Sequence, residues 1–360
     1  MARLPAIALA YVLCDIAAGG EQPPAAWLEA VNTIGPSALR AQVSFLASDA
    51  LEGRGTPSRG LDIAAEYIAA QFRRAGLEPA EDDGYFLTAI VTPQMVDPKG
   101  KEDPGWKEAK VRNVISLLRG SDAALKDTYV LLSAHYDHEG MLPPGEGDRI
   151  YNGANDNASG VAVLLQVAEA LGGMKERPRR IIVFLALWGE EEGLLGARHY
   201  VRHPAFPLDK TIANLTLEVM GQPDPAGNGA LAKAPLTGFD YSDVGPSLAA
   251  AARRAGVEVY KHEPFSDDYF NRSDNLAFAE AGIPSHTLTS AYGYAEYHRV
   301  DDNWDKLDYD NMAKLARGVA LGLLHLANSP QAPRWNEANA RADRYRKVRQ
   351  ESAAGLPSPP

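Results

Sequence analysis

Between residues 111 and 327 the sequence alternates short apolar runs with segments of helical periodicity. The run Ile181–Leu187 reads IIVFLAL, and an unbroken apolar run of this length is typical of a strand buried on both faces. Similar runs lie at 111–118, 128–134, 212–219 and 283–288, and helical patterns lie at 38–46, 61–75, 158–171, 197–201, 248–255 and 311–327. This alternation predicts an α/β chain, a three-layer α/β/α sandwich with a mostly parallel central sheet.

The composition excludes several classes of protein. The chain has 36 Lys and Arg against 47 Asp and Glu, which gives a formal net charge of −11. An acidic surface argues against nucleic-acid binding, which requires a basic face. Cys14 is the only cysteine, so the chain forms neither a disulfide framework nor a cysteine-based zinc site. Any metal ion must therefore be held by His, Asp and Glu.

Residues 1–20 predict a secretory signal peptide. Arg3 precedes an apolar run at 4–13, and small residues follow at 17–20. The run is too short for a spanning helix, so we expect no stable membrane span after its removal. Lipid attachment at Cys14 is a less favoured alternative, because Leu13 stands where a small residue is expected. We expect an exported protein, periplasmic or secreted.

The rest of the chain predicts one folded domain at residues 21–330, followed by a separate segment at 331–360. Residues 335–350 are heavily charged, which predicts an exposed and peripheral helix. The Pro-rich end at 356–360 predicts a disordered tail. The sequence leaves the oligomeric state open.

Polar side chains that can bind metals follow the predicted strands. In an open α/β sheet, sites lie at the carboxyl ends of the strands. The candidates are His135, Asp137 and His138 after the run at 128–134; Glu190, Glu191 and Glu192 after Ile181–Leu187; Glu218 within the run at 212–219; Tyr297 and His298 after the run at 283–288; and Asp156 before the helix at 158–171.

Each candidate alone has an ordinary structural explanation, such as acidic residues at a helix start or an Asp in a glycine-rich turn. Their occurrence at several independent strand ends favours a shared metal site. Imidazole and carboxylate ligands suit zinc or another divalent ion. Even two His and three carboxylates from this set exceed what one tetrahedral catalytic zinc needs, and they fit two ions bridged by a carboxylate. One further carboxylate would take a proton from water.

Other catalytic motifs are missing from the sequence. It contains no HExxH, no GxSxG, no phosphate loop and no GxGxxG. A serine hydrolase and a nucleotide-dependent enzyme therefore have no support.

Four blocks, in this order, resemble the M28 family of metallopeptidases. They are SAHYDH at 133–138, GANDNASG at 153–160, GEEEGLLG at 189–196, and EYH at 296–298 followed by Asp301 and Asp302. The stretch FLASDALEGR at 45–54 is similar to the lead-in of bacterial members. The resemblance covers residues 38–328 and implies a zinc-peptidase-like fold, in which the domain at 21–330 is the catalytic domain.

The resemblance also implies roles for individual residues. Glu190 matches the general base, Asp137 an Asp that orients a ligating His, and Tyr297 a tyrosine that helps to stabilise the oxyanion. Glu218 is a departure, because most members have Asp at that position. The implied metal ligands are His135, the bridging Asp156, Glu191, Glu218 and His298. The remaining histidines receive no functional role: His138, His199, His203, His262, His286 and His325.

The activity implied by the resemblance is hydrolysis of peptide bonds in peptides or proteins, with an aminopeptidase as the leading interpretation. Hydroxide bound to two divalent ions, expected to be Zn²⁺, would attack the carbonyl while Glu190 takes the proton. A glutaminyl cyclase or a carboxypeptidase-type enzyme on the same fold is the alternative, and a metal-free binding module is a remote one. Arg272, Ser273 and Asp274 occupy a position that often lines the substrate pocket.

Overall fold

The computed structural model of the chain describes residues 23–80, 84–97 and 105–353. The predicted signal peptide, with Cys14, lies outside the described residues, and so does the Pro-rich end at 356–360. None of the helices in the described part is both long and apolar enough to cross a membrane.

Within the described residues, nine strands form one large and one small sheet. The strands are β1 (Glu78–Pro79), β2 (Phe86–Val91), β3 (Ala109–Leu118), β4 (Tyr129–His135), β5 (Ile181–Leu187), β6 (Thr211–Leu217), β7 (Lys233–Pro235), β8 (Glu258–Tyr260) and β9 (Ser285–Leu288). The large sheet has the order β1-β3-β5-β4-β6-β9, with β2 also paired to β3, and β7 pairs with β8. Strands β5, β4, β6 and β9 are parallel, whereas β1, β2 and β3 add antiparallel pairings on one side.

Helices cover both faces of the large sheet. The described part contains α1 (Ala25–Val31), α2 (Pro36–Leu46), α3 (Arg59–Arg74), α4 (Pro93–Val96), α5 (Ser159–Gly172), α6 (Leu195–Arg202), α7 (Val244–Ala252), α8 (Phe265–Asp268), α9 (Asn275–Glu280), α10 (Tyr309–Asn328) and α11 (Asp343–Ala353). Helices α2, α3, α5 and α10 pack on one face, and α6, α9 and α11 pack on the other. The predicted three-layer α/β/α fold is confirmed.

Strand β5 shows why its sequence is apolar throughout. Successive side chains of a strand point to opposite faces, so a strand with helices on both faces needs apolar residues at every position. All seven residues of β5 are buried. Ile182, Phe184 and Ala186 pack with α2, α3, α5 and α10, and Val183, Leu185 and Leu187 pack with α6 and α9.

The C-terminal segment differs from its prediction. The predicted helix at 335–350 begins only at Asp343, and the preceding residues are not α-helical except for a 3₁₀ turn at Ala340–Ala342. The segment is also not peripheral, because Trp335 and Tyr345 are buried and stack with ring centroids 5.2 Å apart. The prediction rested on the high charge of the segment and gave no weight to these two aromatic residues. They cover the face of the sheet on which α9 packs.

Candidate metal centre

The carboxyl end of β4 delivers the first candidate ligand. His135 is the last residue of this strand, and its side chain is completely buried. Its Nε2 lies 3.3 Å from Oδ1 of Asp156, and its Nδ1 lies 3.5 Å from Oδ1 of Asp137. Asp137 therefore lies behind the imidazole while Asp156 lies in front of it. A carboxylate behind a ligating histidine is the usual arrangement that fixes the ring orientation.

Asp156 is held by the turn that precedes α5. The backbone N–H groups of Asn155 and Asp156 donate to the carboxylate of Asp302 at 3.0 to 3.1 Å. The hydroxyl of Tyr294 donates to the same carboxylate at 3.0 Å. Because Asp302 is fully buried, its carboxylate is a fixed anchor for the backbone of the turn. The anchored turn directs the side chain of Asp156 into the site.

Two groups of side chains converge on Asp156. One consists of His138, Asp156, Glu191 and His298, and the other of His135, Asp156 and Glu218. Within each group, one potential ligand atom from each residue lies within 4.8 Å of the others. Nε2 of His298 lies 3.2 Å from Asp156 Oδ2 and 3.2 Å from Glu191 Oε2. The carboxylate of Asp156 thus faces one group with each oxygen.

The site leaves several buried polar atoms without hydrogen-bond partners in the described residues. These atoms are Nδ1 and Nε2 of His135, Nε2 of His138, Oδ1 of Asp156 and Nε2 of His298. A buried polar atom without a partner is costly, so such atoms are rare unless a ligand completes them. The five atoms belong to imidazoles and a carboxylate, the donor types that hold zinc. The residues therefore fit two divalent ions that share Asp156.

The charges of the site favour a cation. Although burial opposes it, the carboxylates of Asp156, Glu139 and Glu191 raise the pKa of His298 to about 12. Burial also opposes protonation of His135, yet Asp137 and Asp156 raise the pKa of His135 well above its usual value. A potential that attracts protons this strongly also attracts divalent ions.

The loop after β5 positions two consecutive glutamates differently. The backbone N–H groups of Glu190 and Glu191 donate to Oδ1 and Oδ2 of Asp137, at 3.2 and 3.3 Å. Glu191 belongs to the group around His298, whereas Glu190 belongs to neither group. Burial and the nearby carboxylates of Glu218 and Asp274 raise the pKa of Glu190 well above its usual range, and His135 opposes this. Glu190 is thus a carboxyl group disposed to take a proton.

Glu218 follows the end of β6 and joins the group around His135. Burial, with a further contribution from Asp156, raises the pKa of Glu218 to about 7, and His135 opposes the shift. The side chain is longer than the Asp expected here, but it reaches the same group of ligand atoms.

Comparison with known proteins decides the family. The model of peptidase family M28 matches residues 113–322. The chain belongs to peptidase family M28. The matched region contains every residue of the two candidate metal-binding groups, and the predicted family is confirmed. The chain is accordingly a metallopeptidase-family hydrolase.

Two curated proteins are similar in sequence to this M28 peptidase. A fungal protein of Pyricularia oryzae named "Probable zinc metalloprotease" is 31% identical over 86% of this chain and 67% of its own length. A protein of Mycobacterium tuberculosis named "Probable lipoprotein aminopeptidase LpqL" is 31% identical over 66% of this chain and 50% of its own length.

Solved structures confirm the fold. The LapA aminopeptidase of Legionella pneumophila has a TM-score of 0.62 at 19% identity, and it covers 85% of this chain and 75% of its own. A glutaminyl cyclase of Porphyromonas gingivalis has a TM-score of 0.59 at 18% identity, and covers 81% and 98%. The M28 fold is therefore common to both kinds of enzyme.

Sequence reasoning assigned no role to His138, but the candidate metal site includes it, in one group with Asp156, Glu191 and His298. Its ring is buried, and its Nδ1 lies 2.9 Å from Oε1 of Glu191. Gly153 provides the space, because a Cβ at that position would lie 2.5 Å from the ring of His138. Glu139 was also missed, and its Oε1 lies 3.0 Å from Nδ1 of His298. The only sequence signal was their adjacency to Asp137.

A cavity of about 260 Å³ opens beside the M28 site. Glu218 and Tyr297 lie on its wall together with Arg272 and Ser273, whereas Asp274, predicted to line the same pocket, is not among the lining residues. Asp274 is buried, and both its oxygens lack a hydrogen-bond partner in the described residues. Tyr297 is 50% exposed and stacks on His298, with ring centroids 4.0 Å apart.

Proposed function

We propose that this M28 peptidase is an exported aminopeptidase that uses two divalent ions, with zinc as the native metal. The observation that carries the proposal is the sharing of Asp156 between two groups of ligand atoms, with Glu190 beside them but in neither group. The name of the mycobacterial relative supports an aminopeptidase. The pattern of residues 1–20 supports export.

In this proposal, His135, Asp156 and Glu218 hold one ion, and Asp156, Glu191 and His298 hold the other with His138 beside them. Two divalent ions at these residues supply a water that is nucleophilic at neutral pH and polarise the carbonyl of the substrate. Asp137 orients His135 and fixes the backbone of both glutamates. These contacts hold His135 and Glu191, which belong to different ligand groups, at a fixed distance from each other.

Glu190 acts as the general base. Its raised pKa, caused by burial and neighbouring carboxylates, makes its carboxylate a better proton acceptor than an exposed glutamate. The proton taken from water then passes from Glu190 to the nitrogen of the leaving amine. Because Glu190 is outside both ligand groups, this transfer leaves the metal-binding residues unchanged.

Tyr297 donates a hydrogen bond to the oxyanion that forms on the substrate carbonyl. Burial and the carboxylates of Asp156 and Glu191 raise the pKa of Tyr297, so its phenol keeps its proton at neutral pH. Its position on the wall of the cavity, against His298, supports this role, because a substrate in the cavity would lie beside the phenol.

Hydrolysis of a panel of aminoacyl-nitroanilides tests the proposal, with N-blocked substrates as controls. The zinc content of the purified protein is measured first, and activity is then compared with and without a chelator. We expect about two zinc ions per chain, and cleavage of free-amine substrates only. Cleavage of N-blocked substrates, or of residues at the C-terminus, would contradict the aminopeptidase, and the second result would favour a carboxypeptidase-type enzyme. Cyclisation of N-terminal glutamine peptides without hydrolysis would favour a glutaminyl cyclase.

A pair of adjacent substitutions tests the general base. Glu190→Gln is expected to lower kcat by about 10²- to 10⁴-fold while zinc stays bound. Glu192→Gln is the matched control, because Glu192 belongs to neither ligand group and is partly exposed. Equal losses in the two variants would argue against a specific role for Glu190.

A further inference from the structure

Arg54 is a buried cation that donates only to backbone carbonyl groups in its hydrogen bonds within the described residues. The side chain is 1% exposed. Its Nε donates to the carbonyl of Tyr136 at 2.8 Å, and its Nη1 and Nη2 donate to Asn152 and Gly153 at 2.8 and 3.0 Å. Nη1 also donates to the carbonyl of Leu46. One guanidinium therefore engages four carbonyl groups.

The four carbonyls belong to three separate segments. Tyr136 lies between His135 and Asp137, in the segment that leaves β4. Asn152 and Gly153 begin the turn that carries Asp156, and Leu46 ends α2. The planar fork of Arg54 thus connects the two ligand-bearing segments to each other and to the helical layer.

The backbone around Arg54 adds contacts to the same segments. The N–H of His138 donates to the carbonyl of Arg54 at 3.3 Å, and the N–H of Gly140 donates to that of Gly53 at 3.1 Å. Gly53 has a φ of +67°, and a Cβ there would lie 2.1 Å from the carbonyl oxygen of Gly140. This close approach requires glycine, so the segment 53–54 lies directly against the loop with His138.

We propose that Arg54 is a positioning residue, which fixes the segment with His135 and His138 relative to the turn with Asp156 so that both ligand groups form. The inference rests on the proposed two-metal function. Among the described residues, the hydrogen bonds of the Arg54 side chain reach no side chain of a proposed metal ligand. It acts through the backbone of the residues that carry the ligands.

The charge of Arg54 serves the same arrangement. Burial lowers the pKa of Arg54 to about 10, while the field of Asp137, Asp302, Asp156 and Glu191 opposes this, so Arg54 stays charged at neutral pH. The cation reduces repulsion among these crowded carboxylates from behind the site. Lysine keeps a point charge but cannot supply a planar fork to four carbonyls.

Zinc affinity of Arg54→Lys and Arg54→Met tests the inference. Each variant is first shown to be folded by circular dichroism, and zinc binding is measured by competition with a chromophoric chelator. We expect Arg54→Lys to bind zinc about 10- to 100-fold more weakly than the wild type, the range seen for residues that orient ligands. Arg54→Met is expected to bind more weakly still, because it loses both the fork and the charge.

Arg180→Lys is the matched control. Arg180 is 2% exposed and donates to the carbonyl of Ser329, but it lies just before β5, at the opposite end of the strand from Glu190. It should lower the thermal midpoint and leave zinc affinity within about twofold. Wild-type zinc affinity in folded Arg54→Lys would overturn the inference, whereas a wild type that binds no zinc would overturn the proposed function instead.

Hydrogen exchange on the wild type keeps the inference testable if neither Arg54 variant folds. Binding free energies are reciprocal, so if Arg54 supports the metal site, removing zinc must loosen the segment that contains Arg54. We expect faster exchange in peptides covering 46–55, which contain no proposed ligand, and unchanged exchange in peptides covering α3. Unchanged exchange at 46–55, with faster exchange at 152–157, would contradict the inference.

Discussion

Oδ1 of Asp137 accepts a hydrogen bond from the backbone N–H of Glu190 at 3.2 Å. The second oxygen of the same carboxylate accepts from the N–H of Glu191 at 3.3 Å, and Oδ1 lies 3.5 Å from Nδ1 of His135. One buried side chain at the end of β4 therefore sets the position of a proposed metal ligand on its own segment and of two glutamates after β5. The carboxylate of Asp137 therefore connects the proposed base, Glu190, to both groups of ligand residues.

Asp137→Asn should weaken zinc binding by about 10- to 100-fold and lower kcat. The amide keeps one acceptor oxygen, but its NH₂ group faces a backbone N–H that has lost its acceptor. Chelator competition and steady-state kinetics measure the two effects. Asp122→Asn is the control, because Asp122 also accepts from two backbone N–H groups, of Ala124 and Leu125, far from the site. Equal zinc affinities in both variants would refute this role of Asp137.

His138→Gln should reduce the zinc content at limiting zinc from two ions per chain towards one. The substitution removes a buried imidazole that contacts Glu191 and whose Nε2 has no hydrogen-bond partner in the described residues. Metal content after dialysis against graded zinc concentrations measures the effect, and excess zinc should restore part of the activity. His203→Gln, at an exposed position, is the control. Two tightly bound ions in His138→Gln would restrict His138 to a packing role.

Tyr297→Phe should lower kcat by roughly 10²-fold with little change in KM, as expected for loss of one donor to an oxyanion. Phenylalanine keeps the ring that stacks on His298, so zinc content should stay the same. Tyr129→Phe, which keeps a ring stacked on Phe206 at the other end of β4, is the matched control. An unchanged kcat in Tyr297→Phe would remove Tyr297 from the mechanism.

His286 should make stability depend on pH, away from the metal site. Its Nδ1 donates to the carbonyl of Thr237 at 2.8 Å, so its Nε2 accepts from the hydroxyl of Ser242 at 2.6 Å and the neutral ring is fully hydrogen-bonded. Burial lowers the pKa of His286 to about 4, against the opposing carbonyl of Thr237. Below about pH 6.5 the unfolded chain gains a proton that the folded chain takes up only near pH 4, so the folded state loses stability across this window.

Urea unfolding of His286→Gln, at a constant saturating zinc concentration, measures that contribution. The variant should be less stable than the wild type at pH 7, and the difference should shrink by about 2 kcal/mol between pH 6.5 and pH 5. A difference that stays constant over this range would mean that His286 is protonated equally in the folded and unfolded states.

The apolar runs determined most of the sheet in advance. Strand β5 has the predicted bounds, Ile181–Leu187, and β3, β4, β6 and β9 differ from their predicted bounds by at most two residues at each end. These strands are largely buried on both faces, and this burial requires apolar side chains at successive positions, which is the pattern visible in the sequence. Strand β2 was missed, because its Phe86–Val91 segment is only partly buried at the sheet edge.

The candidate site was predicted only in part, for a geometric reason. Consecutive residues of an extended segment point in different directions, so His135 and Asp137 as site residues do not predict that His138 faces the same candidate site. The space left by Gly153 accommodates its ring, whose Nδ1 lies 2.9 Å from Oε1 of Glu191. The roles of the predicted site residues, the limits of the domain at 21–330 and the signal peptide stay predictions.

The sequence by itself determined the family, the α/β layers and the strand ends that carry His and carboxylate groups, because local periodicity and short motifs record these features. Tertiary structure alone decided that His138 joins the group around Asp156, Glu191 and His298, and that Arg54 contacts a loop 82 residues away in the chain. Such contacts join segments whose spacing in the sequence is arbitrary. They depend on how loops from β4, β5, β6 and β9 pack at one sheet edge, where close distances rather than residue order set the chemistry.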